Sequence, residues 1–168
     1  MHVHFSRGGP KPHLYGELAR ALDALLTGET DRIANLANAA ALLWEGIPDI
    51  NWVGFYLSDG EGGLVLGPFQ GRPACTRIAP GRGVCGAAAA ERHTVVVPDV
   101  HAFPGHIACD AASRSEIVVP LLASAGGGAV YGVLDVDSPT PARFDAEDAE
   151  GLALCVGVLR RHLGLGQG

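Results

Sequence analysis

Three cysteines lie within a 35-residue window of this 168-residue chain, and they are its main candidates for chemistry. Cys75, Cys85 and Cys109 each lie in or beside a stretch that is rich in glycine and proline. Such stretches favour loops and the ends of elements, where reactive groups are often placed. We therefore expect all three thiols outside the packed core. Thiols that converge on one site could serve redox chemistry, metal binding or a disulfide framework, and the spacing leaves these alternatives open.

Cys109 is the first candidate for a nucleophile. It lies between His106 and Asp110, and a nearby imidazolium would favour the thiolate, which is the nucleophilic form of cysteine. Cys85 follows Arg82 at the expected start of a short helix, where the helix N-terminus and the arginine would both favour a thiolate. The alternative, that Cys85 is only a small residue at a tight turn, is equally open.

The two remaining cysteines differ in their surroundings. Cys75 lies between Arg72 and Arg77, and these two cations favour an exchange-competent thiol over an incidental cysteine at a strand edge. Cys155 falls on the apolar stripe of the last predicted helix. Because free cysteine behaves as a small buried hydrophobe, we interpret Cys155 as structural.

Carboxylates form the second group of candidates. Asp135 and Asp137 are two residues apart on a predicted strand, so their side chains share one face. Glu116, just before another strand, could join them. The alternatives are a solvated polar face and an anionic pocket that binds an ammonium group. In the pocket, crowding would raise the pKa of one acid and make it a proton donor. Trp52 and Tyr56 share a strand face and could be either core or pocket wall.

Other function classes have little support in the sequence. The chain lacks the short cysteine and histidine spacings of structural zinc sites, and it has no phosphate-binding glycine motif. Its net charge of −6 and scattered basic residues argue against nucleic acid. We interpret His101 and His106 as solvated loop residues. Without a secretory signal or a membrane-length apolar run, we expect a cytoplasmic protein with reduced thiols.

The hydrophobic patterns predict an α+β fold. Residues 1–12 are expected to form a flexible tail, and residues 13–165 one domain. One helix is predicted over residues 13–26. A second is predicted after an N-cap at Thr30, with Ile33 and Ala37 on the apolar stripe of that helix, and a third begins after an N-cap at Asp145. Strands are predicted over residues 51–57, 63–66, 94–97, 117–122 and 129–137. We expect a central antiparallel sheet with the terminal helices on one face, and with loops and a short helix at 83–92 enclosing a pocket on the other.

Several long phrases, in this order, resemble the free methionine-R-sulfoxide reductases, which are GAF-domain enzymes. The resemblance covers about residues 44–154. It is carried by residues 51–56 (NWVGFY), 67–75 (GPFQGRPAC), 81–86 (GRGVCG), 101–110 (HAFPGHIACD), 111–120 (AASRSEIVVP) and 132–138 (GVLDVDS).

The resemblance implies a GAF-type fold and reduction of the R epimer of free methionine sulfoxide. It implies that Cys109 attacks the sulfoxide and becomes a sulfenic acid, and that Cys75 or Cys85 resolves it as a disulfide, with Cys75 the main candidate. Substrate binding would fall to Glu116, Asp135, Asp137, Trp52 and Tyr56. The family resemblance further implies recycling by thioredoxin with NADPH as the indirect electron source. Apart from the resemblance, we expect no bound cofactor or metal, and a homodimer. The alternative is a GAF sensor that binds a small ligand or reads redox state without catalysis.

Overall fold

The protein is built on a six-stranded antiparallel sheet that has helices on both faces. The computed structural model describes residues 5–6, 8–107, 110–124 and 127–166. Its helices are α1 (Lys11–Leu26), α2 (Arg32–Gly46), α3 (Gly83–Glu91) and α4 (Ala146–His162). Its strands are β1 (Trp52–Ser58), β2 (Leu64–Gly71), β3 (Arg77–Ile78), β4 (Val95–Val97), β5 (Ser115–Ser124) and β6 (Gly127–Ser138), in the sheet order β3-β2-β1-β6-β5-β4. Among the described helices, none has the length and hydropathy needed to cross a bilayer.

The two faces of the sheet build two separate apolar clusters. Val53 and Phe55 of β1 face α1, α2 and α4, together with Leu134 of β6. The alternate positions, including Trp52 and Tyr56, face the opposite side, where α3 covers part of the sheet. This alternation follows from the two-residue period of a strand. The predicted α+β architecture, with N- and C-terminal helices on one face and a short helix on the other, is confirmed.

Helix α4 begins at a fully formed capping box. The Asp145 side chain accepts from the backbone N–H of Asp148, and the Asp148 side chain accepts from the backbone N–H of Asp145. Buried Asp148 also accepts from Tyr15 Oη at 2.8 Å and from Lys11 Nζ at 2.6 Å, which fastens α1 to the start of α4. The predicted cap at Asp145 is confirmed, and so is the burial of Cys155 on α4.

The start of α2 differs from the sequence prediction. Asp31, not Thr30, is the N-cap, and its side chain accepts from the backbone N–H of Ala34 at 2.8 Å. Ile33 is 58% exposed and Ala37 is exposed too, so their placement on the buried stripe is wrong. At 100° per residue, Ile33 lies about 100° around the helix from the centre of the buried face. The apolar side of α2 is therefore rotated from the predicted one.

Candidate active site

Strand register aligns three of the predicted site residues across three neighbouring strands. Trp52 of β1 pairs with Asp137 of β6, and Asp137 pairs with Glu116 of β5. Asp135 is two residues before Asp137 on β6, where it pairs with Gly54 of β1. All of these positions face the side of the sheet that carries α3, and Trp52, Glu116, Asp135 and Asp137 line one pocket there.

An aromatic wall closes one side of this pocket. The Trp52 ring stacks against Tyr56 at a centroid distance of 5.9 Å and against Phe69 at 5.3 Å. Gly54 lies on the same strand face between Trp52 and Tyr56, and a Cβ at this position would collide with Phe69. Glycine is therefore required for Phe69 of β2 to pack this closely. Trp52 and Tyr56 meet both alternatives, because they line the pocket and are also buried in the apolar cluster on this face of the sheet.

The polar ends of the two aromatics hold the chain segment that contains Cys75. Trp52 Nε1 donates to the carbonyl oxygen of Arg72 at 3.1 Å, and Tyr56 Oη donates to that of Cys75 at 3.0 Å. Burial and the nearby Asp135 raise the pKa of Tyr56, so its phenol keeps the proton that it donates. Cys75 is disulfide-bonded, and the residues just before it line the pocket. The aromatic wall thus holds the segment of residues 72–75 at the edge of the pocket.

The three acids form a buried anionic cluster. Glu116 and Asp135 are each 6% exposed, and Asp137 is partly buried. The arginines that line the pocket, Arg72 and Arg82, are themselves exposed, so neither is a buried counterion. Burial and mutual repulsion raise the pKa of Glu116 and Asp137 well above the usual range, and burial raises the pKa of Asp135 to about 7. The burial of Glu116 and Asp135 is inconsistent with an open, solvated polar face, and the three acids lie together in one pocket.

Burial and the two neighbouring aspartates favour the protonated form of Glu116. The side chains of Glu116 and Asp135 also interact directly, and two adjacent buried carboxyl groups can share one proton. One oxygen of Asp135, Oδ1, has no hydrogen-bond partner among the described residues. The cluster therefore offers a proton donor next to an open carboxylate acceptor.

Cys85 differs from its predicted environment. It lies in the first turn of α3, is 4% exposed, and its thiol donates a hydrogen bond to Asp135. Burial and the three acids raise its pKa well above that of an ordinary thiol, which outweighs the half-charge of the helix N-terminus. The predicted position of Cys85 at a helix start is confirmed, and the expectation that its thiol lies outside the packed core is wrong. Of the two alternatives left open for Cys85, the raised pKa disfavours the thiolate. Its sulfur and one oxygen each of Glu116 and Asp135 lie within 4.8 Å of one another.

His106 is a pocket residue, which corrects its interpretation as a solvated loop histidine. Its side chain is 13% exposed, and Nε2 lies 3.7 Å from Glu116 Oε2. Burial, and to a smaller extent His101, lowers the pKa of His106, so the imidazole is neutral at neutral pH. The argument that a His106 imidazolium would favour a Cys109 thiolate therefore loses its basis. His101 is exposed, as predicted.

The predicted nucleophile Cys109 lies outside the described residues, but a polar network fixes the chain just after it. Asn51 Nδ2 donates to Asp110 Oδ2 at 3.2 Å and to Ser113 Oγ at 3.1 Å. Asp110 Oδ1 accepts from the backbone N–H of Ala112 at 2.9 Å. Asp110 and Ser113 line the pocket and were missed from the sequence. The available signal was their position inside the phrases that flank Cys109.

Comparison with known proteins assigns the family. The GAF domain model matches residues 21–159. The free methionine-R-sulfoxide reductase of Escherichia coli (strain K12) is 52% identical over 153 residues, which cover 91% of this chain and 90% of that protein. The Saccharomyces cerevisiae enzyme of the same name is 42% identical over 157 residues, covering 90% of this chain and 86% of that protein. The X-ray structure of the Neisseria meningitidis free methionine-R-sulfoxide reductase in complex with its substrate is 50% identical, covers 99% of this chain and 98% of that one, and superposes with a TM-score of 0.90. This chain belongs to the free methionine-R-sulfoxide reductase family of GAF-domain proteins.

Proposed function

We propose that this protein reduces free L-methionine-R-sulfoxide to methionine and takes the electrons from its own cysteines. The observation that carries the proposal is the buried cluster of Glu116, Asp135 and Asp137 below an aromatic wall whose Tyr56 holds the backbone of Cys75. Relatives of about 50% identity that bear this activity in their names support the same conclusion.

Recognition of the free amino acid follows from the charge of the pocket. A free methionine sulfoxide carries an ammonium group, and a carboxylate oxygen without a partner, such as Asp135 Oδ1, is suited to accept a hydrogen bond from it. Asp137 lies on the same strand face and adds negative charge. A methionine sulfoxide within a peptide has no ammonium and would leave these acids buried without compensation. Trp52 and Tyr56 would contact the methyl and methylene groups.

The proposed chemistry requires a proton at the sulfoxide oxygen. Glu116, which holds a proton in the cluster, would donate it, because this oxygen leaves sulfur only when it is protonated or strongly hydrogen-bonded. Cys109 would attack as a thiolate. The sulfoxide takes two electrons from Cys109 and leaves as methionine. Its oxygen is transferred to the sulfur of Cys109, which becomes a sulfenic acid.

Regeneration would proceed through a disulfide. The Cys75 thiol would condense with the sulfenic acid, forming a sulfur–sulfur bond and releasing water. We assign this step to Cys75 rather than Cys85, because the Cys85 thiol is hydrogen-bonded to Asp135 and its strongly raised pKa disfavours the thiolate. A thioredoxin dithiol would then reduce the disulfide and become oxidised itself, with NADPH as the indirect source of electrons. This cycle suits a cytoplasmic protein, and we propose a homodimer as the form in which it operates.

The activity is tested by NADPH oxidation in the presence of thioredoxin and thioredoxin reductase. Turnover is expected with free L-methionine-R-sulfoxide and not with its S epimer or with the N-acetylated R epimer, which lacks the ammonium. The alternative function, a non-catalytic GAF sensor, predicts that none of the three compounds is turned over, although the protein retains thiols that a colorimetric reagent can titrate.

The affinity for the product, L-methionine, is expected to increase as the pH rises from about 6 to about 8. The empty pocket holds acids with raised pKa values, about 7 for Asp135, so part of the cluster is protonated at pH 6. An ammonium ligand favours the carboxylate forms and expels protons, and binding that releases protons strengthens with pH by up to about tenfold per proton and pH unit. Calorimetric titration at both pH values measures this change. A constant or decreasing affinity would show that the acids do not contact the ammonium.

A further inference from the structure

We propose that the floor of the pocket also binds a borderline-soft divalent cation such as Zn²⁺, through the sulfur of Cys85 and one carboxylate oxygen each of Glu116 and Asp135. These three atoms lie within 4.8 Å of one another, and all three residues are buried. They come from α3, β5 and β6, so the ligands are 31 and 19 residues apart in the sequence. That separation explains why the short spacings of zinc motifs are missing from the chain.

The donor set matches this class of ion. Zn²⁺ binds thiolate at about 2.3 Å and carboxylate oxygen at about 2.0–2.2 Å, which places tetrahedral ligand atoms about 3.4–3.6 Å apart. The separations between the three ligand atoms would therefore shorten by at most about 1.2–1.4 Å on binding. Sulfur disfavours Mg²⁺ and Ca²⁺, which prefer oxygen ligands only.

A second observation points to a missing ligand. Asp135 is 6% exposed, yet its Oδ1 has no hydrogen-bond partner among the described residues. A buried carboxylate oxygen in this state carries an unfavourable desolvation cost, which a cation would remove. The adjoining cavity of about 40 Å³ exceeds the ~10–15 Å³ that one water needs, so it can hold the ion with a water as fourth ligand.

Charge balance favours the same conclusion. Among the described residues that line the pocket, the two arginines are exposed, so neither of them supplies a buried positive charge beside the three acids. A divalent cation would displace protons from Cys85 and from the acids, and binding would release these protons. If the proposed function is correct, the ion and the ammonium of the substrate compete for Asp135, and Zn²⁺ inhibits the reduction. The binding test below does not depend on that activity.

The test uses Co²⁺ as a spectroscopic probe and Zn²⁺ as its competitor. In a full-length, untagged Cys75→Ser/Cys109→Ser background, Cys85 and Cys155 are the remaining cysteines. Titration with Co²⁺ is expected to produce a sulfur-to-cobalt charge-transfer band that saturates at one ion per chain, and Zn²⁺ is expected to abolish it. In this background, Cys85→Ala should remove the band and weaken Zn²⁺ binding by at least about 10–100-fold. Cys155→Ala, on the opposite face of the sheet, should change neither.

A second variant guards against a trivial loss of folding. Asp135→Asn keeps the thiol and the shape of the site, and it should weaken Zn²⁺ binding by at least about tenfold in calorimetry while the thermal unfolding transition remains cooperative. The proposal is wrong if the charge-transfer band persists in Cys85→Ala, if it never forms in the background, or if Asp135→Asn binds Zn²⁺ with unchanged affinity. These three binding results can be interpreted even if the proposed enzyme activity is not found, because none of them depends on turnover.

Discussion

Glu116→Gln is expected to lower the rate of methionine release in a single turnover by about 10²–10⁴-fold, the usual range for loss of a general acid. Glutamine has nearly the shape of a protonated glutamate and can still donate a hydrogen bond to Asp135. It cannot give a proton to the departing oxygen. The loss should therefore fall mainly on the rate constant at saturating substrate, with a smaller change in the substrate concentration needed for half saturation.

Rapid mixing of reduced protein with the R epimer, followed by quantification of methionine, measures this rate. The matched control is Glu150→Gln, the same change at an exposed position of α4, which should react at the rate of the unmodified protein. A rate for Glu116→Gln within about threefold of the control would assign the proton donor to Asp135 or Asp137 instead.

The part of the site that lies on strands was predictable from the sequence, because strand geometry is regular. The alternation of Asp135 and Asp137 with Leu134 and Val136 fixed which residues share a face before any register was known. The same argument paired Trp52 with Tyr56. The sequence did not contain the register itself, which brings Glu116 opposite Asp137. That pairing depends on how β5 and β6 meet, so Glu116 was only a candidate to join the two aspartates.

The errors concern residues whose properties depend on burial from several elements at once. Cys85 has the local sequence of an activated thiol at a helix start, but β6 places Asp135 against its sulfur and raises its pKa. His106 has the local sequence of a solvated turn, but it packs over Glu116. In both cases the deciding neighbour is more than nine residues away in the chain. Local composition therefore left the charge state of Cys85 open, and it favoured the wrong exposure for Cys85 and for His106.

The fold alone does not separate a reductase from a sensor, because one fold can serve unrelated functions. The acids of the pocket nevertheless argue that the site binds a ligand. Three acids with raised pKa values destabilise the folded protein increasingly as the pH rises from the usual carboxyl range to those raised values, since the folded state resists their ionisation. A site that only packed the sheet against α3 would be more stable with apolar residues. The acid cluster is therefore best explained by a ligand that supplies positive charge, and turnover of that ligand is what separates a reductase from a sensor.

Cys75→Ser is expected to release about one methionine per chain and then stop, with no sustained NADPH oxidation in the thioredoxin-coupled assay. The variant retains Cys109 and the acid cluster, so the sulfoxide can still be reduced once. Serine cannot condense with a sulfenic acid, and without the disulfide thioredoxin has no bond to reduce. Cys109→Ser, in contrast, should fail even in the first turnover.

The assignment of the resolving step depends on the difference between Cys75 and Cys85. Cys75 is disulfide-bonded, and its backbone carbonyl accepts a hydrogen bond from Tyr56. Cys85, in contrast, is a buried free thiol that interacts with Asp135 through a hydrogen bond. Cys85→Ser should therefore continue to cycle with thioredoxin, and Cys155→Ala, in the core of α4, should cycle at the rate of the unmodified protein. If Cys85→Ser stops after one turnover while Cys75→Ser cycles, the two roles are reversed, and the raised pKa of Cys85 does not prevent it from attacking the sulfenic acid. If both variants stop, electrons must pass through both thiols in succession before they reach Cys109.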